Sequence, residues 1–288
     1  NGAASAFVTN VPVQTIAGLQ VSGNTNVTLQ AVGAATVSVN GGAGTDLSVA
    51  SGSTLQLTGA NAITLALLAG ATGSITGTTN LAGAAHRLTA VDTGALVYGS
   101  GGLCVQGVSF SGNPFGTTSL NSVVFGAGSV YQHVAGANPF GATAPTSVVT
   151  FQAGSRYRVD GPITPALAGR TYADFEFNNG GTISPTGGTA VTMDSLTVSQ
   201  GVFNMNLTGG AVIRGDIHVK AAGTLSFSPG TGTPGFSLAG TSGQSIDIQG
   251  AFSTSSNAVL NINDPAGVNL VTNVALGGGL SFTTGRIN

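Results

Sequence analysis

Apolar residues in the first quarter of the chain fall in i, i+2 pairs: Val27/Leu29, Val37/Val39, Leu47/Val49, Leu55/Leu57 and Ile63/Leu65, each 8 to 10 residues after the last. Alternation of this kind turns one set of side chains inward and leaves Thr, Ser or Gln facing out, so it predicts short half-buried strands. Turn signals separate the pairs: Gly23-Asn24, Asn40-Gly41-Gly42, Ser51-Gly52 and Gly59-Ala60-Asn61. The second half alternates in the same way through Leu196/Val198, Phe203/Met205/Leu207, Val212/Ile213, Ile217/Val219, Leu225/Phe227 and Phe236/Leu238. Ile246/Ile248, Val259/Leu260/Ile262, Leu270/Val271, Val274/Leu276 and Leu280/Phe282 carry it to the end. No stretch has an apolar stripe at 3.6-residue spacing with charge opposite, and Gly or a β-branched residue recurs throughout, so helix is not expected.

Regularly spaced short strands fit a sandwich or a barrel as well as a β-helix. Two features favour the β-helix. No pair of strands is joined by a compact hairpin signal between long flanking strands. The middle of the chain also repeats in one direction: Phe125, Gly128 and Tyr131 return as Phe151, Gly154 and Tyr157, 26 residues on. Gly112-Asn113-Pro114-Phe115-Gly116 returns as Ala137-Asn138-Pro139-Phe140-Gly141. A period of about 20–50 residues marks stacked repeats, and coils of roughly 20–26 residues give about 11–14 turns of a right-handed parallel β-helix. Stacking should place Phe125 on Phe151 and Tyr131 near Tyr157, as core-stabilising ladders in preference to a sugar platform. With no linker-like run, residues 1–288 read as one continuous solenoid, whose core lengthens with chain length instead of thickening.

Composition narrows the function. Hydrophobic residues make up 41% of the chain, too many for a disordered polymer. The longest apolar stretch, Ala62 to Ala69, is about half the ~20 residues of a membrane-spanning helix. Seven basic and nine acidic residues give a net charge of −2, with no basic stripe to displace counterions from nucleic acid. Cys104 is alone, between Leu103 and Val105, and reads as a small buried apolar residue. Sparse Lys and Glu amid Thr, Ser, Asn and Gly suit an exported protein. The opening Asn1-Gly2-Ala3-Ala4-Ser5 carries neither an initiator Met nor a signal pattern, which suggests a mature product or an excised segment.

The charged residues concentrate between Arg156 and Glu176. Arg156 and Arg158 flank Tyr157 and should point outward while Tyr157 points in. Asp160, Arg170, Asp174 and Glu176 follow. Asp174 and Glu176 share one strand face, at a spacing within the ~5–10 Å that two glycosidase carboxyls need. Solvated on a flat face, however, they read as partners for Arg156, Arg158 or Arg170. Gly41-Gly42-Ala43-Gly44-Thr45-Asp46-Leu47-Ser48-Val49 is similar to a calcium-binding nonapeptide, but its apolar residue is displaced and it has no tandem copy, so it reads as a turn. His86, His133 and His218 lack metal-ligand spacing, and His86 and His218 should be outward strand residues. A Ser-His-Asp arrangement stays open, with no nucleophile-elbow pattern to support it. No catalytic, cofactor-binding or metal residue is assigned.

Asn138 to Gly141, Ser147 to Arg158, Gly169 to Asn179 and the tail Leu280 to Ile287 resemble β-helical segments of large Bacteroidota surface proteins exported by the type IX secretion system. The likeness covers most of the chain, and its motifs are rung patterns that specify no reaction. It implies an extracellular or cell-surface protein, adhesin-like or structural. The leading expectation is a non-enzymatic stalk, adhesin shaft or filament subunit. Its coil ends, uncovered by any helix or charged segment, would continue into further repeats or self-associate. Two other readings accompany it: a module binding surface glycans through outward Tyr or Asn ladders, and a carbohydrate-active enzyme built on the Arg156–Glu176 cluster.

Overall fold

The computed structural model describes residues 4–288, and the chain divides into two compact units, Asn1–Arg156 and Tyr157–Asn288. Among the described residues there is no helix, and the strands pair in parallel. The chain is a parallel β-solenoid of about 12 turns. Register partners lie from 19 to 29 residues apart, as in Val268↔Ile287 and Ile217↔Ile246. That range is wider than the sequence suggests, because turns absorb insertions while the strands keep their register.

The first unit winds three strands per coil. One face stacks Leu19–Val21, Leu47–Val49, Gly73–Ile75, Leu96–Tyr98, Val123–Phe125 and Val149–Phe151. A second stacks Ala4–Val8, Thr25–Leu29, Thr54–Leu57, Thr78–Leu81, Leu103–Gln106 and Val130–His133. The third stacks Gln14–Ile16, Ala35–Val39, Ile63–Leu67 and Arg87–Ala90. Val37/Val39, Leu47/Val49, Leu55/Leu57 and Ile63/Leu65 all point inward and are buried. Each buried aliphatic side chain contributes about 1.5–3 kcal/mol through the hydrophobic effect.

Parallel register piles like positions into columns. Tyr98, Phe125 and Phe151 follow one another on the first face. Their rings stack at centroid distances of 4.4 Å (Tyr98–Phe125) and 5.2 Å (Phe125–Phe151). Thr79, Cys104 and Tyr131 form a column on the second face. Across the interior the Tyr98 hydroxyl bonds Thr79 Oγ1 at 2.9 Å. Cys104 is wholly buried there, and desolvation pushes its thiol up to about 11. Tyr131 and Tyr157 fall in different units.

The Asn-Pro-Phe-Gly repeats explain where the third face changes character. Proline cannot donate to a central ladder, so after Arg87–Ala90 the strand gives way to a turn, with Leu88 N–H donating to Pro114 O at 2.8 Å. Asn113 and Asn138 each fold their side chain back, accepting from the amides of Phe115 (3.0 Å) and Phe140 (3.1 Å). Asn113 Nδ2 bonds Asn138 O at 2.5 Å, joining one turn to the next. Phe115 and Phe140 are buried and meet Phe125 and Phe151 edge-on.

The second unit uses longer strands, including Thr171–Ile183, Val191–Leu207, Ile217–Phe227 and Val259–Leu270, and shifts register within them. Tyr172, Met193, Ile213, Leu238 and Ile262 form one inward column. Phe175, Leu196, Ile217 and Ile246 form another. Two sequence expectations need correction. Ala211, not Val212, partners Ile213 on the inward side. Val274 and Leu276 form no strand and are half-buried in the connection before Gly279–Ile287.

Candidate functional site

In the second unit, alternation aims the polar residues of four consecutive rungs out of one face. Asp174, Glu176 and Asn178 lie on the first rung, then Ser195, Thr197 and Ser199, then Asp216, His218 and Lys220, then Ser245, Asp247 and Gln249. Register aligns Asp174 with Ser195. It also places Glu176, Thr197, His218 and Asp247 in one column. Inward neighbours such as Phe175, Phe177, Leu196, Val198, Ile217 and Val219 are buried and hold the row rigid.

Most bonds in this array run from one rung to the next. Ser195 Oγ donates to Asp174 Oδ1 at 2.7 Å, and Ser199 Oγ to Glu176 Oε1 at 2.6 Å. Lys220 Nζ lies 4.0 Å from the same Glu176 oxygen. Ser245 N–H donates to Asp216 Oδ1 at 2.7 Å. His218 Nδ1 lies 3.1 Å from Asp247 Oδ2, to which Gln249 Nε2 also donates, at 3.0 Å. Beside the array, Arg158 Nε and Asn178 Nδ2 share Asp160, at 2.8 and 2.6 Å. Hydrogen bonds to charged groups contribute about 1.5–3 kcal/mol when partly shielded, so the acids act as ties between coils.

The sequence cluster is partly reassembled. Arg156 belongs to the first unit, and Arg158, Asp160, Arg170, Asp174 and Glu176 to the second. Arg156 and Arg158 do point outward around a buried Tyr157. Glu176 is not solvated as expected, for it is only 8% exposed beneath Ser199 and Lys220. Arg158 pairs with Asp160, which also bonds Asn178 on the rung of Asp174 and Glu176.

The array brings a hydroxyl, an imidazole and a carboxylate into one column at Thr197, His218 and Asp247, an order not visible in the sequence. A nucleophile there would also need donors for an oxyanion, and the backbone around Thr197 is committed to the ladders on either side. The other two histidines, His86 and His133, are buried. His86 is fully buried in the corner before Arg87–Ala90, not outward as expected. Its Nδ1 accepts from Ile63 N–H at 3.0 Å, so Nε2 carries the proton toward Ala82 O at 3.1 Å. Burial lowers its pKa.

Asp46, in the glycine-rich nonapeptide, accepts from Thr72 N–H at 2.8 Å across coils, in a turn between Ala35–Val39 and Leu47–Val49. All four tyrosines, Tyr98, Tyr131, Tyr157 and Tyr172, are fully buried, which removes the outward tyrosine ladder expected for glycan stacking. Among the described residues no three His, Cys, Asp or Glu side chains group as metal ligands. No family model, curated protein or solved structure matches the chain.

Proposed function

We propose that the chain is a non-enzymatic structural protein of the cell surface, serving as an adhesin shaft, stalk or filament subunit. The observation that carries this reading is the outward ladder of the second unit, where Asp174–Ser195 and Glu176–Ser199 tie the first rung to the second and His218–Asp247 ties the third to the fourth. These side chains are spent on holding coils together. Apolar side chains left exposed on the Ala4–Val8 strand (Phe7, Val8) and on Gly279–Ile287 (Leu280, Phe282) support self-association or cover by further coils. The resemblance to Bacteroidota surface repeats supports an extracellular setting and export by the type IX route.

Electron micrographs of the native assembly, with sedimentation over a range of concentrations, test the proposal. Fibres or stalks that carry the chain along their length are expected. Polysaccharide cleavage by the purified chain, abolished in Asp174→Asn or Glu176→Gln, would overturn it in favour of an enzyme.

A further inference from the structure

The third face of the first unit carries a concavity of about 390 Å³ at the step where strands give way to the Asn-Pro-Phe-Gly turn. Its floor is the outward side of two paired strands, Ile63–Leu67 and Arg87–Ala90, where Thr64 lies beside Arg87 and Ala66 beside Thr89. Its wall is the chain after Gly116. That glycine, at φ +79°, passes so close above Thr89 that a Cβ would crowd its methyl group at 3.3 Å. Thr117, Thr118 and Ser119 then rise beside the floor.

The lining has a definite chemistry. Arg87 is its one charged side chain, and no carboxylate faces it. Among the described residues Arg87 has neither an ion-pair nor a side-chain hydrogen-bond partner. Arg158, Arg214 and Lys220, by contrast, lie beside Asp160, Asp194 and Glu176. Five hydroxyl-bearing residues share the lining with Arg87: Thr64, Thr89, Thr117, Thr118 and Ser119. The far end of the floor is apolar, where Leu68 and Val91 stand exposed at 37% and 52%. From Arg87 to Val91 the floor runs about 13 Å at ~3.3 Å per residue.

A ligand matching this shelf has an anion at one end, vicinal hydroxyls along its edge and an apolar face. An inorganic anion would use the arginine alone. An extended acidic peptide would seek backbone donors and acceptors at a free sheet edge, whereas this floor offers side-chain hydroxyls, which both donate and accept. A planar carboxylate matches the guanidinium fork. We infer that the shelf binds a short acidic saccharide, with its carboxylate on Arg87, its hydroxyls on the threonines and a ring face on Leu68 and Val91. The inference goes beyond the structural role, and a shaft without this site would still assemble.

Titration calorimetry with trigalacturonate tests it on the full chain, alongside its methyl ester and a triglutamate peptide. Wild type should bind trigalacturonate, and Arg87→Gln should weaken binding by about tenfold or more. Arg87→Lys should recover only part of it, because a lysine is a point charge without the fork. Esterification should weaken binding to wild type by a similar factor, and Thr89→Val should weaken it several-fold. Unchanged circular dichroism and melting of Arg87→Gln would confirm that folding is not being read. No binding by wild type at millimolar sugar, equal binding by Arg87→Gln, or triglutamate bound as tightly as the sugar would each overturn the inference.

Discussion

Replacing Phe125 with alanine removes the middle ring of the aromatic stack in the first unit. Phe125 is fully buried. It lies nearly parallel to Tyr98, at 5°, and 25° from Phe151, with Phe115 and Tyr131 edge-on at 6.0 and 5.6 Å. Truncating a buried Phe to Ala costs about 3–5 kcal/mol, and each well-placed aromatic pair adds about 0.5–1.5 kcal/mol beyond area. Four ring partners in a fully enclosed site put the expected cost at the upper end, about 4–5 kcal/mol. Phe125→Leu keeps most of the volume and loses chiefly the ring contacts, so about 1–2 kcal/mol is expected.

Because a solenoid couples mainly neighbouring coils, the loss is best read locally by amide hydrogen exchange over Leu96–Tyr98, Val123–Phe125 and Val149–Phe151. A deficit of about 4 kcal/mol accelerates exchange roughly a thousandfold where opening limits it. A loss below about 2 kcal/mol, or indistinguishable Ala and Leu variants, would refute the stacking argument.

Two further outcomes follow from a buried histidine and a tightly placed glycine. His133 is buried and desolvation lowers its pKa from 6.5 to about 4. The unfolded chain therefore binds a proton below pH 6.5 that the folded chain refuses until about pH 4. Stability should fall by up to about 3 kcal/mol across that window. Urea unfolding at several pH values should show a shallower decline for His133→Gln, and parallel curves would count against the assignment. Gly201 adopts φ +77°, and a Cβ there would overlap the carbonyl oxygen of Asn179, which is backbone and cannot swing away. Gly201→Ala should cost about 3 kcal/mol or more, while Gly180→Ala, with nothing within 4 Å, should be nearly neutral in thermal melts.

The solenoid is legible wherever strand and turn both announce themselves. Leu47/Val49 and Leu55/Leu57 read correctly because each alternating pair is bracketed by glycine-containing turns, and Phe125 and Phe151 because their coil repeats almost letter for letter. Val212 misleads because Ala211, which fills the inward place, is too small to stand out as core. His86 misleads for another reason: it adjoins the Arg87–Ala90 strand in sequence, but the corner turns the ring inward to accept from Ile63.

The outward array is only partly legible: alternation puts Asp174 and Glu176 on one face and points His218 outward, but the column that joins Glu176 to His218 does not show in the sequence. Its motifs, Asp-Phe-Glu-Phe-Asn, Ser-Leu-Thr-Val-Ser, Asp-Ile-His-Val-Lys and Ser-Ile-Asp-Ile-Gln, share one parity. However, His218 follows Thr197 by 21 residues and Asp247 follows His218 by 29. Unequal turns hide the alignment that the ladder restores. The threonine shelf is hidden for a related reason, since Thr117 and Thr118 come to line one concavity with Arg87 where a proline turn replaces a strand.

The Thr79–Cys104–Tyr131 column has a consequence for fidelity of assembly. Its occupants change from coil to coil, and Tyr98 reaches across the interior to the small Thr79. Sliding a coil by one storey would break the Tyr98–Thr79 bond and exchange small for large occupants along the column. Winding that looks repetitive from outside is thus keyed from within, so each turn has one address in the stack.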